Sequence, residues 1–359
     1  MAGTFHSLRI SELRRETAEA VSIAFEVPPE LEAAYAFQPG QYVTLRAAVN
    51  GEEQRRSYSI CAAPHEGELR IAVKRVDDGV FSRHAHGELR EGGAIDVMTP
   101  EGRFILPPSQ GASRNIAFVA AGSGITPVIG MIKHLLETEP RSKVLLIYGN
   151  RRADGIIFRA ALDELKDKHI ERFLLHHVLS REERDAAVHS GRLDAEKIKA
   201  LAQSSFGGAR IDCAALCGPA PLIDEAAQAF IELGVPEAAV RRELFAPPKT
   251  QARRAAEKAE RPAAALQGKP LGITLAGRAH AIDILDDETV IEAAQRHGLD
   301  VPFACKGGMC CTCRARITEG SVAMDANYSL EKWEMEAGFV LTCQSRLTTD
   351  SAKVDYDAL

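Results

Sequence analysis

Cysteine residues are concentrated in one short stretch of this chain, ACKGGMCCTCRA at residues 304–315. Cys305 is followed by four residues and Cys310, then by two residues and Cys313, and Cys343 comes much further along the chain. The spacing C-x4-C-x2-C…C is one that holds a [2Fe-2S] cluster, because two bridged irons need four thiolates at one place. The pattern predicts Cys305, Cys310, Cys313 and Cys343 as the iron ligands.

The neighbours of these cysteines agree with that prediction. Gly307 and Gly308 let the backbone wrap closely and direct its N–H groups at sulfur. Cys310, Cys311 and Cys313 cannot all be ordinary members of a symmetrical set, so Cys311 is assigned to a non-ligand position. A zinc site is the alternative, but structural zinc sites usually offer two close pairs of ligands, and only Cys310 and Cys313 form such a pair here.

A second candidate site lies in the stretch AAGSGITP at residues 120–127, between a predicted strand and a predicted helix. Gly122 and Gly124 allow a tight turn, Thr126 is the expected N-cap, and Pro127 suits the first helical position. Such a helix N-terminus favours a pyrophosphate group. The match to G-x-G-x-x-G is incomplete, so an ordinary strand-to-helix turn is the alternative.

Arginines follow the next two predicted strands. Arg151 and Arg152 stand where NAD-binding units usually place an acid for the ribose hydroxyl. Ser180 and Arg181 follow the strand after that. Arginine with a hydroxyl suits a 2′-phosphate, which favours NADPH over NADH. The alternative for each arginine is a solvated surface charge.

A third candidate site is the strand RRSYSI at residues 55–60. Because side chains alternate along a strand, Arg56, Tyr58 and Ile60 are predicted to share a face, where a cation, an aromatic ring and an apolar side chain line one ligand. That combination fits a flat heteroaromatic phosphate ester. An amphipathic strand with a surface arginine is the alternative.

The elements that must position these residues change in type along the chain. Residues 1–108 contain short runs rich in β-branched and aromatic residues, and Asn50-Gly51 between two of them is a strong hairpin signal. This part is predicted to be a small antiparallel β-barrel. Residues 109–246 alternate strands with helices, which predicts an α/β domain with a parallel sheet.

The C-terminal part of the chain is predicted to be a separate unit. Residues 247–270 are rich in proline, alanine and charge without an apolar stripe, which indicates a linker, with a short exposed helix as the alternative. Residues 271–359 form the small domain that carries the cysteine motif. Thr289 and Glu292 make a capping-box signature for a short helix beside the cysteine loop.

Composition limits the classes of function. The 359 residues have a formal net charge of -6, which gives no basic surface for nucleic acid. No apolar run is long enough to cross a bilayer, and the N-terminus lacks an export signal, so we expect a soluble, cytoplasmic protein. In a reducing cytosol, clustered cysteines indicate ligands rather than disulfides. Cys61 and Cys213 are expected to be small buried residues.

Four motifs, taken in order, resemble those of the ferredoxin-NADP reductase superfamily: Arg56-Ser57-Tyr58-Ser59, Gly79-Val80-Phe81-Ser82, Gly122-Ser123-Gly124-Ile125-Thr126-Pro127 and Cys217-Gly218-Pro219. With a plant-type ferredoxin domain at the C-terminus, the whole chain resembles the reductase components of bacterial oxygenases, and most specifically the reductase subunits of phenylacetyl-CoA epoxidases. The resemblance implies a multidomain fold: a flavin-binding β-barrel, an NADP-binding α/β domain and a β-grasp ferredoxin domain.

The resemblance implies roles for residues of the barrel. Arg56 would contact the flavin phosphate, Tyr58 would lie against the isoalloxazine, and Ser59 would hydrogen-bond near its reactive nitrogen. Gly79 and Ser82 would hold the pyrophosphate of FAD, the flavin expected in place of FMN.

The resemblance also implies roles in the α/β domain. Gly122, Gly124 and Thr126 would cradle NADPH, and Ser180 and Arg181 would hold its 2′-phosphate. Cys217 and Gly218 would border the nicotinamide, while Glu243 and Phe245 would close over the flavin. The residues expected to act at the reacting rings are Tyr58, Ser59, Cys217 and Glu243.

The function implied is electron transfer from NADPH to FAD, to the cluster and then to di-iron oxygenase subunits acting on phenylacetyl-CoA. The alternatives are a reductase for a Rieske dioxygenase or a hydroxylase, and a non-catalytic redox-sensing iron-sulfur protein. From Gly268 to Leu359 the chain has 14 acidic and 9 basic residues, a net of 9 - 14 = -5. An acidic docking face toward the partner is one explanation, and generic solubility is the other.

Overall fold

The computed structural model describes residues 4–77, 79–107, 109, 113–245, 268–286 and 288–358. The chain divides into two compact units, and each is described by itself. The larger unit is made of Phe5–Gln54 and Tyr58–Phe245, and the smaller one takes most of its described residues from 268–358. Among the described residues, no helix combines the length and apolar composition that a membrane crossing would take.

The first sheet is antiparallel and has six strands in the order β4-β3-β6-β1-β2-β5. Its strands are β1 (Phe5–Thr17), β2 (Ala20–Glu26), β3 (Tyr42–Val49), β4 (Glu52–Ser59), β5 (Leu69–Lys74) and β6 (Ala94–Met98). A bridge between Ile60 and Ile71 brings the two edge strands together, so the sheet curls around one hydrophobic core. The predicted antiparallel barrel is confirmed. A helix, α1 (Val80–Gly87), follows β5.

The hairpin between β3 and β4 turns at the dipeptide that the sequence indicates. Asn50 has φ 55° and Gly51 has φ 81°. Positive φ at both central residues is the requirement of a type I′ turn, which matches the twist of the flanking strands. The turn therefore sets the register of β4, the strand that carries the RRSYSI motif.

The second sheet is parallel and has five strands in the order β11-β10-β7-β8-β9. Its strands are β7 (Asn115–Ala121), β8 (Lys143–Asn150), β9 (Phe173–Leu179), β10 (Cys213–Gly218) and β11 (Val240–Leu244). The helices between them are α2 (Ile125–Thr138), α3 (Arg159–Lys168), α4 (Ala195–Phe206) and α5 (Ala220–Glu232). Two separate hydrophobic clusters involve opposite residues of β7, so both faces of the sheet are covered. The predicted α/β domain is confirmed.

The smaller unit is built on a mixed sheet in the order β13-β12-β18-β14-β16, in which β12 and β18 run parallel. Its elements are β12 (Lys269–Leu275), β13 (Arg278–Ile284), α6 (Val290–Arg296), β14 (Arg314–Glu319), β15 (Val322–Met324), α7 (Lys332–Glu336), β16 (Phe339–Leu341), β17 (Ser345–Leu347) and β18 (Ala352–Asp355). Thr289 caps α6 and Glu292 completes the capping box, as expected. The arrangement is the β-grasp architecture that the resemblance implies.

Most of the predicted linker, residues 247–267, lies outside the described residues. At the other end of the predicted linker, strand β12 begins at Lys269 and pairs Lys269 and Pro270 with β13. These two residues therefore belong to the folded C-terminal unit, because Pro270 can occupy a strand position where its missing N–H is not needed.

Candidate functional site

The nucleotide-binding turn lies where the parallel sheet reverses its strand order. Strand β7 neighbours β8, which follows it in the chain, and β10, which the chain reaches only after β9, so the strand order reverses at β7. Ligands of open α/β sheets bind beyond the carboxyl ends of the strands at such a switch point. Gly122–Gly124 follows β7, and Cys217 and Gly218 end β10, so two motifs that are far apart in sequence meet there.

The contact between these motifs is close. A Cβ on Gly124 would lie 2.1 Å from the carbonyl oxygen of Cys217. Only glycine allows the turn to approach the end of β10 in this way. Gly122 has φ 54°, and its carbonyl accepts a hydrogen bond of 2.8 Å from the hydroxyl of Tyr148. The turn is thus held by its glycines and by a buried tyrosine.

The structure corrects the predicted role of Thr126 as N-cap. Helix α2 begins at Ile125, after a short 3-10 turn, and Gly124 occupies the N-cap position. Thr126 lies inside the first turn of the helix, where its hydroxyl donates to the carbonyl of Ser123 at 3.0 Å. The 3-10 turn continues directly into the helix, so the helix starts earlier than the sequence signal suggests.

The proposed 2′-phosphate residues also come together. The N–H of Ser180 donates to the carbonyl of Asn150, and the N–H of Arg181 donates to that of Arg151, each at 2.9 Å. These bonds extend the pairing of β8 and β9 past the strand ends. Arg151 and Arg181 are both exposed, so two guanidinium groups stand on adjacent segments at the carboxyl edge of the sheet.

Arg152 has a different environment from its neighbour. Its Nε lies 3.7 Å from Glu182 Oε1 and 3.5 Å from Asp154 Oδ2. Glu182 also accepts a hydrogen bond of 3.1 Å from the N–H of Ala153. The two acids partly neutralise Arg152, so Arg151 and Arg181 are the stronger candidates for an anionic ligand.

Cys217 and Glu243 are direct register partners on β10 and β11. The thiol of Cys217 donates toward Glu243 Oε2 at 3.8 Å, and Cys217 is fully buried. Burial raises the pKa of the Glu243 carboxyl to about 8, and burial also raises the pKa of the Cys217 thiol well above its usual value. Near neutral pH this corner of the switch point therefore holds two protonated groups.

Strand β4 presents Arg56 and Tyr58 on one face. Arg56 is exposed, and Tyr58 lies against Phe81 of α1 with ring centroids 5.9 Å apart. Ser59 is buried at the end of the strand. Ile60 directly follows β4, bridges to Ile71 of β5, and is fully buried in the same hydrophobic cluster against which Tyr58 packs.

The segment before α1 is held by Ser82. Its hydroxyl accepts a hydrogen bond from the N–H of Val76 and donates to the carbonyl of Gly79, each at 3.1 Å. A Cβ on Gly79 would lie 2.4 Å from this hydroxyl. Ser82 thus fixes the path of the backbone that would meet a pyrophosphate, and its contact with FAD stays a prediction. Asp78, between these residues, lies outside the described residues.

The four predicted iron ligands come together as two pairs. Cys305 shares a hydrogen bond with Cys310, and Cys313 shares one with Cys343. The hydrogen bond from Cys310 and those from backbone N–H groups lower the pKa of Cys305 to about 6, and the bond from Cys313 lowers the pKa of Cys343. In the part of the chain that the structure describes, no three His, Cys, Asp or Glu side chains are placed to hold a single ion. Two pairs suit two irons, each of which takes two thiolates from the protein.

The backbone around the pairs also fits a cluster. The N–H groups of Gly307 and Met309 donate to Cys305 Sγ at 3.3 and 3.4 Å. Gly308 has φ 76°, and a Cβ there would lie 3.0 Å from the carbonyl oxygen of Ala326. Hydrogen bonds to sulfur are the means by which a protein tunes an iron-sulfur centre. The residues therefore fit the predicted [2Fe-2S] group.

The other cysteines described in this structure have apolar surroundings. All eight cysteines lie among the described residues and are free thiols. Cys311 has φ 57°, which turns its backbone in the left-handed direction between two ligands, and its side chain packs against the hydrophobic core of the smaller unit. Cys61 and Cys213 are buried, and burial raises the pKa of Cys213 to about 11.

Sequence reasoning missed three supporting residues. Tyr148 holds the nucleotide turn, Glu182 faces Arg152, and Gln344 donates from Nε2 to the carbonyl of Lys306 at 2.9 Å and toward Cys343 Sγ at 3.7 Å. Gln344 had a signal, because it directly follows a predicted ligand. The other two had none, because their partners are distant in sequence.

Comparison with protein-family models finds three matches along the chain. Residues 7–105 match an oxidoreductase FAD-binding domain, residues 118–228 match an oxidoreductase NAD-binding domain, and residues 273–348 match a 2Fe-2S iron-sulfur cluster binding domain. The FAD, NAD and [2Fe-2S] sites inferred from the motifs are confirmed at the level of these domains.

Curated relatives cover the chain almost completely. The chain is 42% identical over 356 residues to one of the subunits of 1,2-phenylacetyl-CoA epoxidase from Escherichia coli K12, covering 99% of this chain and 98% of the relative. It is 31% identical to the ferredoxin reductase component of 3-ketosteroid-9-alpha-monooxygenase from Rhodococcus rhodochrous, with 97% and 96% covered. The crystal structure of phthalate dioxygenase reductase shares the fold, with a TM-score of 0.61, 24% identity and 98% of each chain covered.

Proposed function

The chain belongs to the ferredoxin-NADP reductase superfamily, in the same family of oxygenase reductases as its relative from the Escherichia coli 1,2-phenylacetyl-CoA epoxidase, and from this premise we propose that it passes electrons from NADPH through FAD and a [2Fe-2S] cluster to a di-iron oxygenase that epoxidises phenylacetyl-CoA. The protein is an oxidoreductase, the reductase component of an oxygenase system. Its preference for NADPH and the identity of the oxygenase are the parts that we propose.

The observation that carries the proposal is that one chain holds both a dinucleotide turn at a sheet switch point and four cysteines in two pairs. When bound, FAD converts a two-electron hydride into single electrons, and a [2Fe-2S] cluster carries one electron at a time. A chain with only the dinucleotide turn would reduce small acceptors. A chain with only the four cysteines would need a separate electron donor. The pair of sites suits a reductase that serves a protein acceptor.

Residues of the first two sheets and of the segments that follow their strands would bind and orient the two ring systems. Tyr58, supported by Phe81, offers a flat surface to the flavin ring, and Arg56 offers a cation to its phosphate. Gly122 and Gly124 leave room for the backbone to approach the dinucleotide pyrophosphate. Cys217 closes the far side of that space with a buried, apolar thiol, which helps to keep water away from the reacting rings.

Glu243 has a distinct role in the proposal. Its raised pKa, about 8, keeps a proton on its carboxyl near neutral pH, and the thiol of Cys217 orients that carboxyl. A half-buried acid beside the nicotinamide position can hold a proton close to the ring that accepts the hydride. We propose Glu243 as the residue that supplies or retains this proton.

The preference for NADPH is proposed from the two exposed arginines. Arg151 and Arg181 stand on backbone segments joined by hydrogen bonds, with Ser180 between the two strand ends. Guanidinium groups form paired, charge-assisted hydrogen bonds with phosphate. NADH lacks the 2′-phosphate, so it would gain nothing from these side chains.

The identity of the oxygenase is proposed from the 42% identical relative, which belongs to a 1,2-phenylacetyl-CoA epoxidase and is covered almost end to end. A reconstituted assay tests it. Purified protein with bound flavin and iron is combined with the oxygenase component of a 1,2-phenylacetyl-CoA epoxidase, NADPH, oxygen and phenylacetyl-CoA, and epoxide formation is measured. We expect product in proportion to NADPH oxidised.

Two results of this assay would overturn the proposal. If NADPH reduces the flavin and the cluster but no epoxide forms, the acceptor is wrong. If the oxygenase component of a 3-ketosteroid monooxygenase accepts electrons faster than the epoxidase component does, the protein serves another oxygenase. Replacing NADPH with NADH in the same assay checks the cofactor preference, and an equal rate would contradict it.

A further inference from the structure

The loop that follows β9, residues 180–190, leaves the edge strand of the parallel sheet and returns to it, and we name it the edge loop. It carries Arg181 near its start and a further exposed guanidinium, that of Arg184. Its far end returns to the strand through a parallel bridge between Leu179 and Ser190. The edge loop is therefore closed on itself at the carboxyl end of β9, where the 2′-phosphate is proposed to bind.

Two histidines hold the returning half of the edge loop. His189 ends a short 3-10 turn (Ala187–His189), and its Nε2 lies 3.1 Å from Nδ1 of His176 on β9. The two rings are nearly parallel, at 20°, with their centroids 5.3 Å apart. Nε2 of His176 lies 2.8 Å from the hydroxyl oxygen of Ser205 on α4. A chain of side-chain hydrogen bonds therefore ties the edge loop through β9 to α4.

The backbone at Arg184 is attached to the residue that follows this histidine pair. The N–H of Arg184 donates to the hydroxyl oxygen of Ser190 at 2.7 Å, and Ser190 directly follows His189. The N–H of His189 itself donates to the carbonyl of Ala186 at 2.9 Å. A movement of His189 would shift both contacts, so the histidine pair fixes the half of the loop that carries Arg184.

The outgoing half of the edge loop has a separate support. The N–H of Arg181 donates to the carbonyl of Arg151 at 2.9 Å, so the neighbouring segment fixes the backbone of Arg181 without the histidines. The histidine pair therefore acts mainly on Arg184. A guanidinium on a backbone that is already fixed loses less entropy when it binds a phosphate than one on a mobile loop.

The hydrogen bond between the two rings needs a lone pair on one of them. A pair with one added proton can keep the bond, whereas two protonated rings have only donors and repel each other. Burial, the ring of His189 and the ammonium group of Lys166 lower the pKa of His176. Burial also lowers the pKa of the neighbouring His177 to about 4. The pair is therefore intact at neutral pH and weakens as the pH falls below the usual imidazole value of about 6.5.

We propose that His176 and His189 are positioning residues for nucleotide recognition, which hold the edge loop so that Arg184 joins Arg181 at the 2′-phosphate of NADPH and release it in acid. Both histidines act through the loop and have no part in the proposed transfer of hydride or electrons. This inference rests on the proposed preference for NADPH.

Three variants of the full chain, with flavin and cluster bound, test the inference. His189→Ala removes one ring of the pair, and His189→Gln places an amide near the position of Nε2 that can hydrogen-bond but cannot titrate. His65→Ala is the matched control, because it removes an exposed histidine from the same unit. Calorimetry measures the affinity for 2′,5′-ADP, which has the 2′-phosphate, and for 5′-AMP, which lacks it. Amide hydrogen exchange measures the mobility of residues 184–191.

At pH 7.5 we expect His189→Ala to bind 2′,5′-ADP about fivefold more weakly than the wild type and to bind 5′-AMP equally well, because only the phosphate contact is loosened. Amide exchange in residues 184–191 should be about tenfold faster in this variant. His189→Gln should bind 2′,5′-ADP within about twofold of the wild type. His65→Ala should match the wild type in every measurement.

At pH 5.5 a second proton enters the wild-type pair, so His189→Gln should bind 2′,5′-ADP about threefold more tightly than the wild type. Comparing the two proteins at the same pH cancels the titration of the phosphate itself.

Each other outcome counts against the inference. If His189→Ala binds 2′,5′-ADP like the wild type, or if its edge loop exchanges no faster, the histidine pair does not position the loop. If it loses the same factor for 5′-AMP, the pair supports the whole nucleotide site and not phosphate recognition. If the wild type and His189→Gln respond alike to pH, the pair does not release the loop in acid.

Failure of the proposed function gives a different result. A wild type that binds 2′,5′-ADP no more tightly than 5′-AMP would overturn the preference for NADPH and the inference that rests on it. The outcomes at His189 would overturn the positioning role alone, because the wild type would keep its preference for the 2′-phosphate.

Discussion

The nucleotide site and the cysteine loop are built in opposite ways. At the nucleotide site, Gly124, Cys217 and Glu243 come from three segments that are far apart in the chain, and the sheet brings them together. In the cysteine loop, three of the four ligands lie within nine consecutive positions, and only Cys343 comes from elsewhere. The first site depends on the whole sheet, whereas the second depends mainly on a local turn.

The two sites also differ in how they treat protons. Cys217 is fully buried and Glu243 is partly buried, and this burial keeps a proton on both groups near neutral pH. In the cysteine loop the pKa is lowered at Cys305 and Cys343 and raised at their hydrogen-bonded partners Cys310 and Cys313, so each pair favours one thiolate beside one thiol. The first site therefore favours the protonated form of both groups, whereas each pair in the second favours one ionised sulfur.

The largest effect is expected at the cysteine loop. Cys343→Ser should lower electron transfer to a protein acceptor by more than about a hundredfold, because one iron loses a ligand. Ferricyanide reduction by NADPH, which draws on the flavin, should stay near the wild-type rate. Cys311→Ser is the matched control and should keep the visible spectrum of the cluster. Loss of iron from the Cys311→Ser variant would contradict the assignment of the ligands.

The next effect is expected at the sheet switch point. Gly124→Ala places a Cβ 2.1 Å from the carbonyl oxygen of Cys217, so the nucleotide turn must move away from β10. We expect kcat/KM for NADPH, measured with ferricyanide, to fall at least tenfold. Gly155→Ala is the control, because its Cβ meets nothing within 4 Å and its φ is not positive. Equal activity of the two variants would show that the close contact is not required.

A smaller and more selective effect is expected at the residues that we propose to bind the 2′-phosphate. Arg181→Ala removes a charge-assisted hydrogen bond worth about 1.5–3 kcal/mol, so kcat/KM for NADPH should fall roughly tenfold to a hundredfold while that for NADH stays the same. Arg210→Ala is the control: it removes an equal charge at the amino edge of the sheet, before β10. It should change kcat/KM for neither NADPH nor NADH. A parallel loss with both nucleotides would mean that Arg181 acts on folding or on a shared part of the ligand.

The smallest effect on rate is expected for Glu243→Gln, which keeps the shape of the side chain but cannot titrate. The wild-type rate of flavin reduction by NADPH should fall as the pH rises through about 8, where Glu243 loses its proton. The Gln variant should lose this inflection. Flavin reduction is measured by rapid mixing at each pH. If the wild-type rate of flavin reduction does not change between pH 7 and pH 9, Glu243 does not hold the proton.

Thermal stability gives a second measurement on the same pair of proteins. The folded-state pKa of Glu243 is raised from 4.5 to about 8, so the folded protein binds this proton more tightly than the unfolded chain. The wild type should therefore lose stability relative to Glu243→Gln as the pH rises from about 4.5 to about 8, and the difference should stay constant above that. If the difference in unfolding temperature between the wild type and Glu243→Gln does not change with pH, the pKa of Glu243 is not raised.

The sequence predicted features that depend on neighbours in the chain. The hairpin at Asn50-Gly51, the capping box at Thr289 and the spacing of the four cysteines all follow from residue type at short range, and the structure contains each of them. Alternation of strands and helices was enough to predict the parallel sheet. Thr126 was placed less well, because the 3-10 turn before α2 depends on contacts with distant residues.

By itself, the sequence determined that the chain has four cysteines with the spacing of cluster ligands, a glycine turn suited to a dinucleotide, and arginines suited to a phosphate. Only the tertiary structure decided which residues meet. It placed Glu243 beside Cys217, Gly124 against the end of β10, and His189 against His176. The reason is that strand order and burial result from the packing of the whole chain, which local spacing does not encode.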